Sequence, residues 1–255
     1  MKGLYGLKQA GLGWYMKMSW VLIKDLGFVC STADHLVFIW KKNEEHTIIA
    51  IVTDDMAITT KRAVDAEIFK QNIKRYWDIT NNGPIGWFLG FQIKRDRKNK
   101  TLLINQHAYI KSLAEKYWLT NVKPVKTPIK PGTHYTKDQC PSTPNQVAKM
   151  NGIPYSKAIG GILWPAIVSR PDIAYAIGIL SQFIQNPGQL HWEGVKWIIS
   201  YLYSTKDHCL TFGGKGKKLV KGFSNTDWAS QSDCHLISGY VFFLGCGAII
   251  WSSKK

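Results

Sequence analysis

Acidic residues are scarce in this 255-residue chain: 17 Asp and Glu stand against 33 Lys and Arg, a formal net charge of +16. That deficit makes nucleic acid the expected partner, because a positive surplus attracts polyanions over about a screening length. The surplus is concentrated in residues 61–130, with fifteen basic and five acidic side chains, whereas residues 1–60 hold six of each. Cysteine is sparse too. The five, at 30, 140, 209, 234 and 246, are odd in number and unpaired in spacing, which argues against a disulfide framework or a zinc knuckle and fits a reducing compartment. His208-Cys209 and Cys234-His235 look like half-sites, but neither has a second spaced pair. No apolar run reaches the ~18 residues of a membrane span, and no basic segment with an apolar core opens the chain. The expectation is therefore no membrane partner, no secretion, and a cytoplasmic or nuclear location. Internal repeats and low-complexity tracts are also missing.

What is present, 45% hydrophobic and 13% aromatic residues, suffices for one large or two smaller cores. Residues 12–26 place Trp14, Met18, Val21, Leu22 and Leu26 near the helical period, and Gly27 supplies a stop. Two short runs rich in β-branched and aromatic residues, 36–40 and 47–52, read as a hairpin. Thr53-Asp54-Asp55 then interrupts before an extended pattern resumes at 56–60, so both acids belong at a tight turn between strands. Residues 63–76 predict a helix with Lys70, Lys74 and Arg75 on a basic face. Residues 87–94 and 100–104 predict a second hairpin, whose rim carries Lys94, Arg95, Arg97, Lys98 and Lys100. Residues 106–118 return to helical spacing. Six prolines between 124 and 154 predict a long connector and a domain boundary. Signals over 155–212 are helical, and 219–251 reads as short strands between glycines. The fold class expected is α+β.

The run Leu4-Tyr5-Gly6-Leu7-Lys8-Gln9-Ala10, followed by Trp14-Tyr15, is similar to the nucleotide-pocket motif of copia-type retrotransposon reverse transcriptases. Along the chain follow Gly27-Phe28, Asp34, Thr53-Asp54-Asp55, Phe88-Leu89-Gly90, Thr127-Pro128, Ser169-Arg170-Pro171-Asp172-Ile173 and His191, in family order. Gly222-Phe223-Ser224, Ser238-Gly239-Tyr240 and Trp251 to Lys255 complete the series. The chain thus resembles an internal slice of a copia-type Pol polyprotein. The resemblance implies a partial reverse-transcriptase palm with thumb and connection helices, then the first strands of an RNase H-like sheet. Its divisions would be 1–120 for the polymerase part, 121–154 for the Pro-rich connector, 155–215 for the helical region and 216–255 for the start of RNase H.

The resemblance also implies roles. Asp54 would ligate a catalytic metal with Asp55 as its acidic neighbour. Lys8 and Gln9 would contact the phosphates or sugar of a deoxynucleoside triphosphate, and Phe88, Leu89 and Gly90 would form the primer support. The cofactor of the intact parent would be Mg²⁺ or Mn²⁺, because nucleotidyl transfer uses two divalent cations held by carboxylates. The chain departs from the pattern at several points. Val52 and Thr53 stand where the family has an aromatic and an aliphatic residue, Gly11 and Leu12 where it has proline and arginine, and Asn225 where the RNase H pattern has Asp. A further polymerase carboxylate belongs upstream of the nucleotide-pocket motif. The sequence therefore predicts a truncated, degenerate copy without activity of its own. The alternatives are a non-catalytic basic remnant that binds RNA, DNA or an RNA–DNA hybrid, and an unexpressed relic.

Overall fold

The computed structural model describes residues 6–42, 44–214, 219–227 and 236–255, and within them the chain is α+β. It divides into two compact units, Met1–Ile85 and Gly86–Lys255.

In the first unit the helical-period stripe forms α1 (Ala10–Trp20), which runs into a π-helical turn, Val21–Asp25. Gly27, at φ +71°, redirects the chain where a side chain would be strained. β1 (Val29–Cys30), β2 (Val37–Lys42), β3 (Glu45–Val52) and β4 (Asp55–Thr60) then form an antiparallel sheet in sequence order. β3 buries Thr47, Ile49 and Ile51, every second residue, as a strand with one face on a core must. α2 (Ala63–Ile73) covers that face with Phe69 and Ile73, four residues apart, and Phe69 meets Phe28 edge-on at 5.6 Å. Met18, Val21, Leu22 and Phe38 complete this core.

The second unit starts with β5 (Trp87–Phe88), β6 (Phe91–Asp96) and β7 (Thr101–Asn105). Five helices follow: α3 (His107–Lys116), α4 (Pro144–Met150), α5 (Tyr155–Val168), α6 (Ala174–Ser181) and α7 (Gln189–Ser204). β8 (Leu210–Gly213) then returns to the first sheet, giving the order β5-β6-β7-β8. β9 (Val220–Asp227), β10 (Ile237–Leu244) and β11 (Gly247–Lys254) make a separate antiparallel sheet, ordered β11-β10-β9. Ile110, Ile159, Ile162, Ile173, Leu180 and Ile198 are buried together between the helices. The Trp251 indole N–H donates to the Ala166 carbonyl at 2.7 Å, which ties β11 to α5.

Two expectations need correction. The segment 87–94 is not one strand, because Leu89 at φ +50° and Gly90 at φ +80° form a tight turn that pairs Phe88 with Phe91. The helical reading of 155–212 ends too late. Leu210–Gly213 is a strand against β7, too short to show a period and paired with residues far away in sequence. The segment 121–154 is mostly exposed, carries α4, meets α7 and lies inside the second compact unit. The Trp197 indole donates to the Thr127 carbonyl at 2.8 Å, and Tyr135 is buried where Gly194 has no side chain.

α3 ends with Trp118 at φ +55°, in the left-handed position that glycine fills best. The Trp118 N–H bonds to Glu115 and the Leu119 N–H to Ala114, the pair of bonds that closes a Schellman cap. Trp118 is 88% exposed, so its ring gains little burial to offset the backbone strain. Trp118→Gly is expected to stabilise the chain by about 1 kcal/mol. A urea midpoint that stays put or falls would contradict this.

Candidate functional site

The adjacent acids Asp54 and Asp55 sit at the end of the β3–β4 hairpin of the first unit. Val52 pairs with Asp55, which leaves Thr53 and Asp54 as the two loop residues between β3 and β4. Asp54 and Asp55 are both exposed, so their carboxylates are open to solvent and to ligands. Thr53 has φ +52°, uncommon for any residue with a Cβ and rarer for a β-branched one. Its carbonyl accepts the Trp14 indole N–H at 3.0 Å. Trp14 projects from the first turns of α1, and Gln9 is the residue just before that helix. Lys8 and Gln9 are exposed, and the N–H of Ala10 bonds to the Leu7 carbonyl in the turn that leads into α1. One hydrogen bond thus fastens the helix that follows the Lys8-Gln9 motif to the tip that carries the acids. Leu4 and Tyr5, which open the motif, lie outside the described residues.

Two adjacent carboxylates are the right donors for a hard divalent cation, but they are too few for two. Among the described residues no group of three or more His, Cys, Asp or Glu is placed to hold a metal. The donor set suits one weakly held cation, with water in its remaining positions.

The other expected site residues lie elsewhere. On α2 Lys70 is drawn to Glu67 at 2.7 Å, whereas Lys74 and Arg75 just beyond the helix are exposed. In the second unit Phe88 is half-buried, and Leu89 and Gly90 form the tight turn already described. Lys94, Arg95, Arg97, Lys98 and Lys100 are all exposed at the β6–β7 hairpin, and none forms an ion pair among the described residues. The turn between them is braced by Asp96, which accepts from the backbone and side-chain N–H groups of Asn99. Asn225 lies on β9 opposite Gly239, beside an open groove of about 830 Å³. The one acid among the residues lining that groove, Asp172, is already committed to Arg170. Cys234 and His235 fall outside the described residues.

Several motif residues turn out to be structural, which their spacing did not announce. Arg170 is 2% exposed and grips Asp172 through Nε and Nη2, while its guanidinium also donates to the carbonyl and hydroxyl of Thr205. The Tyr201 hydroxyl donates to the same carboxylate at 2.8 Å. Burial works to raise the Asp172 pKa, but the hydrogen bonds and charge of Arg170, with the Tyr201 bond, outweigh it and leave the carboxyl below its ordinary value. His191 is fully buried and stacked on Phe183 at 3.8 Å, its Nδ1 accepting from the Gly188 N–H and its Nε2 facing the Thr136 carbonyl. Burial lowers its pKa, and the bond to Thr136 opposes that only in part. It therefore serves as a neutral core residue.

Comparison with known proteins identifies the family of the chain. The family profile for "Reverse transcriptase (RNA-dependent DNA polymerase)" matches residues 1–131. The retrovirus-related Pol polyprotein from transposon TNT 1-94 of Nicotiana tabacum is 37% identical over 99% of this chain and 19% of its own length. That from transposon RE2 of Arabidopsis thaliana is 30% identical over 100% of the chain and 17% of its own length. The putative transposon Ty5-1 protein of Saccharomyces cerevisiae is 26% identical over 99% of the chain and 80% of its own length. The chain thus spans less than a fifth of the two Pol polyproteins. No solved structure matches it. With half its length matched by the profile and nearly all of it aligned to Pol polyproteins, the chain belongs to the reverse transcriptase family, among the polyproteins of copia-type retrotransposons.

Proposed function

We propose that the chain carries the acidic turn and nucleotide-pocket helix of an RNA-directed DNA polymerase, followed by thumb and connection helices and the opening strands of an RNase H-like sheet. The observation that carries this reading is the hairpin tip, where Thr53-Asp54-Asp55 is hydrogen-bonded to Trp14 of the motif helix. In it, Asp54 is a metal-binding carboxylate and Asp55 adds negative charge beside it. Lys8 and Gln9 receive the phosphates or sugar of a deoxynucleoside triphosphate, and the Phe88-Leu89-Gly90 turn supports the primer. Divalent cations bound at such a site activate the primer hydroxyl and offset triphosphate charge. Two carboxylates cannot seat both, since Mg²⁺ sheds water reluctantly and demands near-octahedral ligands. The isolated chain is accordingly proposed to be inactive as a polymerase. Asn225, a neutral amide where an anionic bridge is needed, argues the same for nuclease chemistry.

Primer extension with Mg²⁺ or Mn²⁺ tests this. The expected result is no extension by the chain alone, and extension that Asp54→Asn abolishes once the chain is joined to an upstream palm segment from a related Pol polyprotein. Extension by the chain alone would overturn the inactive reading, and indifference of the joined protein to Asp54→Asn would overturn the metal-ligand assignment.

A second reading rests on the five cations of the β6–β7 hairpin, none of which forms an ion pair among the described residues. Such a surface suits single strands or an RNA–DNA hybrid, in which phosphates are accessible and affinity depends strongly on salt.

A further inference from the structure

The Trp14 indole stands where two segments of the proposed site meet. One edge donates its N–H to the Thr53 carbonyl, which shares a peptide bond with the nitrogen of Asp54. Trp77 contacts the ring in an edge-to-face arrangement, with centroids 5.4 Å apart and planes at 74°. Lys17 lies 5.9 Å from the centre of the Trp77 ring and so braces the partner in turn. Trp14 is half-buried, so its ring has few other orientations available. At the other end of the hydrogen bond, the left-handed φ of Thr53 is one that a β-branched side chain resists. A two-residue hairpin loop asks for a positive φ that Gly, Asn or Asp takes easily and Thr does not, so a bond from outside the hairpin helps to hold Thr53 there, and the outside group is an N–H aimed at the strained peptide.

We propose that Trp14 is a positioning residue: its indole N–H holds the Thr53–Asp54 peptide so that the Asp54 carboxylate is presented at the hairpin tip for a divalent cation. This rests on the reading of Asp54 as a metal-binding carboxylate. The nucleotide-pocket helix and the metal-binding turn then act as one mechanical piece. A shift of α1 on nucleotide binding would be transmitted to Asp54 through a single hydrogen bond, with no need for movement in the sheet.

The test uses the full chain, isotope-labelled, with Mn²⁺ as the probe and broadening of the Asp54 and Asp55 amide signals as the readout. In the unaltered chain both signals should broaden, and Asp54→Asn should remove the effect. Trp14→Phe keeps a ring against Trp77 but removes the donor. It should weaken Mn²⁺ binding about fivefold, roughly the worth of one ordinary hydrogen bond, while the amide signals of α2 stay where they were. Adding Thr53→Gly should restore binding to within about twofold, because glycine holds a positive φ without help. Unchanged affinity in Trp14→Phe overturns the positioning role while leaving the metal reading intact. A loss that Thr53→Gly does not repair assigns the effect to packing and overturns it as well. Absence of broadening in the unaltered chain overturns the metal reading, and the proposal falls with it.

Discussion

Replacing Asp172 with alanine is expected to lower the stability of the second unit by about 3–5 kcal/mol, because it strands a guanidinium that the fold has taken out of water. Arg170 is 2% exposed, and in the intact chain Asp172 neutralises it through two nitrogens while the carbonyl and hydroxyl of Thr205 accept two further N–H bonds. Without the carboxylate, neither Thr205 nor the Tyr201 ring, 5.3 Å away, supplies a counter-charge. Domains hold together by only ~5–15 kcal/mol, so the loss would be a large share of the total. Native-state hydrogen exchange at the buried Ile198 and Ile199 amides of α7 measures it directly. The double variant Arg170→Met with Asp172→Ala should recover much of the loss, since no buried charge then remains. If Asp172→Ala alone costs under about 1 kcal/mol, the pair is not the internal brace described here. The sign of the pH effect follows from the direction of the shift. The folded carboxyl titrates below its ordinary value, so its contribution is complete at neutral pH and is lost as the pH falls through that lowered pKa.

That network also shows where the sequence stops being readable. Ser169-Arg170-Pro171-Asp172-Ile173 was visible as a family marker, but nothing in its spacing points to Tyr201 and Thr205, which lie on or just after a helix some thirty residues on. Elements with a repeated pattern were legible. Thr47, Ile49 and Ile51 alternate and form a half-buried strand, and Met18, Val21 and Leu22 follow the helical period and are buried. The acidic turn was legible because Asp-Asp between two β-rich runs leaves a hairpin little choice. The conformation of that turn was not. A positive φ at Thr53 contradicts the intrinsic preference of the residue; the two-residue loop demands it, and the distant Trp14 bonds to the strained peptide. β8 was invisible for a related reason: four residues carry no period, and the partner that makes them a strand is β7.

Neutralising Lys94, Arg95, Arg97, Lys98 and Lys100 to glutamine is expected to weaken binding to an RNA–DNA hybrid on the order of a thousandfold at low salt. The geometry of the hairpin sets how much of the salt dependence should disappear. Lys94 and Arg95 are consecutive residues of β6, so their side chains leave opposite faces of the sheet and cannot both reach one strand of phosphates. Arg97, Lys98 and Lys100 lie in or beside the turn that Asp96 and Asn99 brace, where they can reach the same ligand as either face. Four cations rather than five should therefore act together. The slope of log affinity against log salt should then shrink by about 3 to 4, at slightly under one unit for each phosphate neutralised. Lys70 provides the internal comparison: it already pairs with Glu67, so Lys70→Gln should change the slope by less than one unit. Filter binding or fluorescence anisotropy across a salt titration gives both quantities. A slope that is unchanged when the hairpin is neutralised would place the nucleic-acid contact elsewhere on the chain, whereas a drop near 5 would mean that the ligand wraps the hairpin and touches both faces of β6.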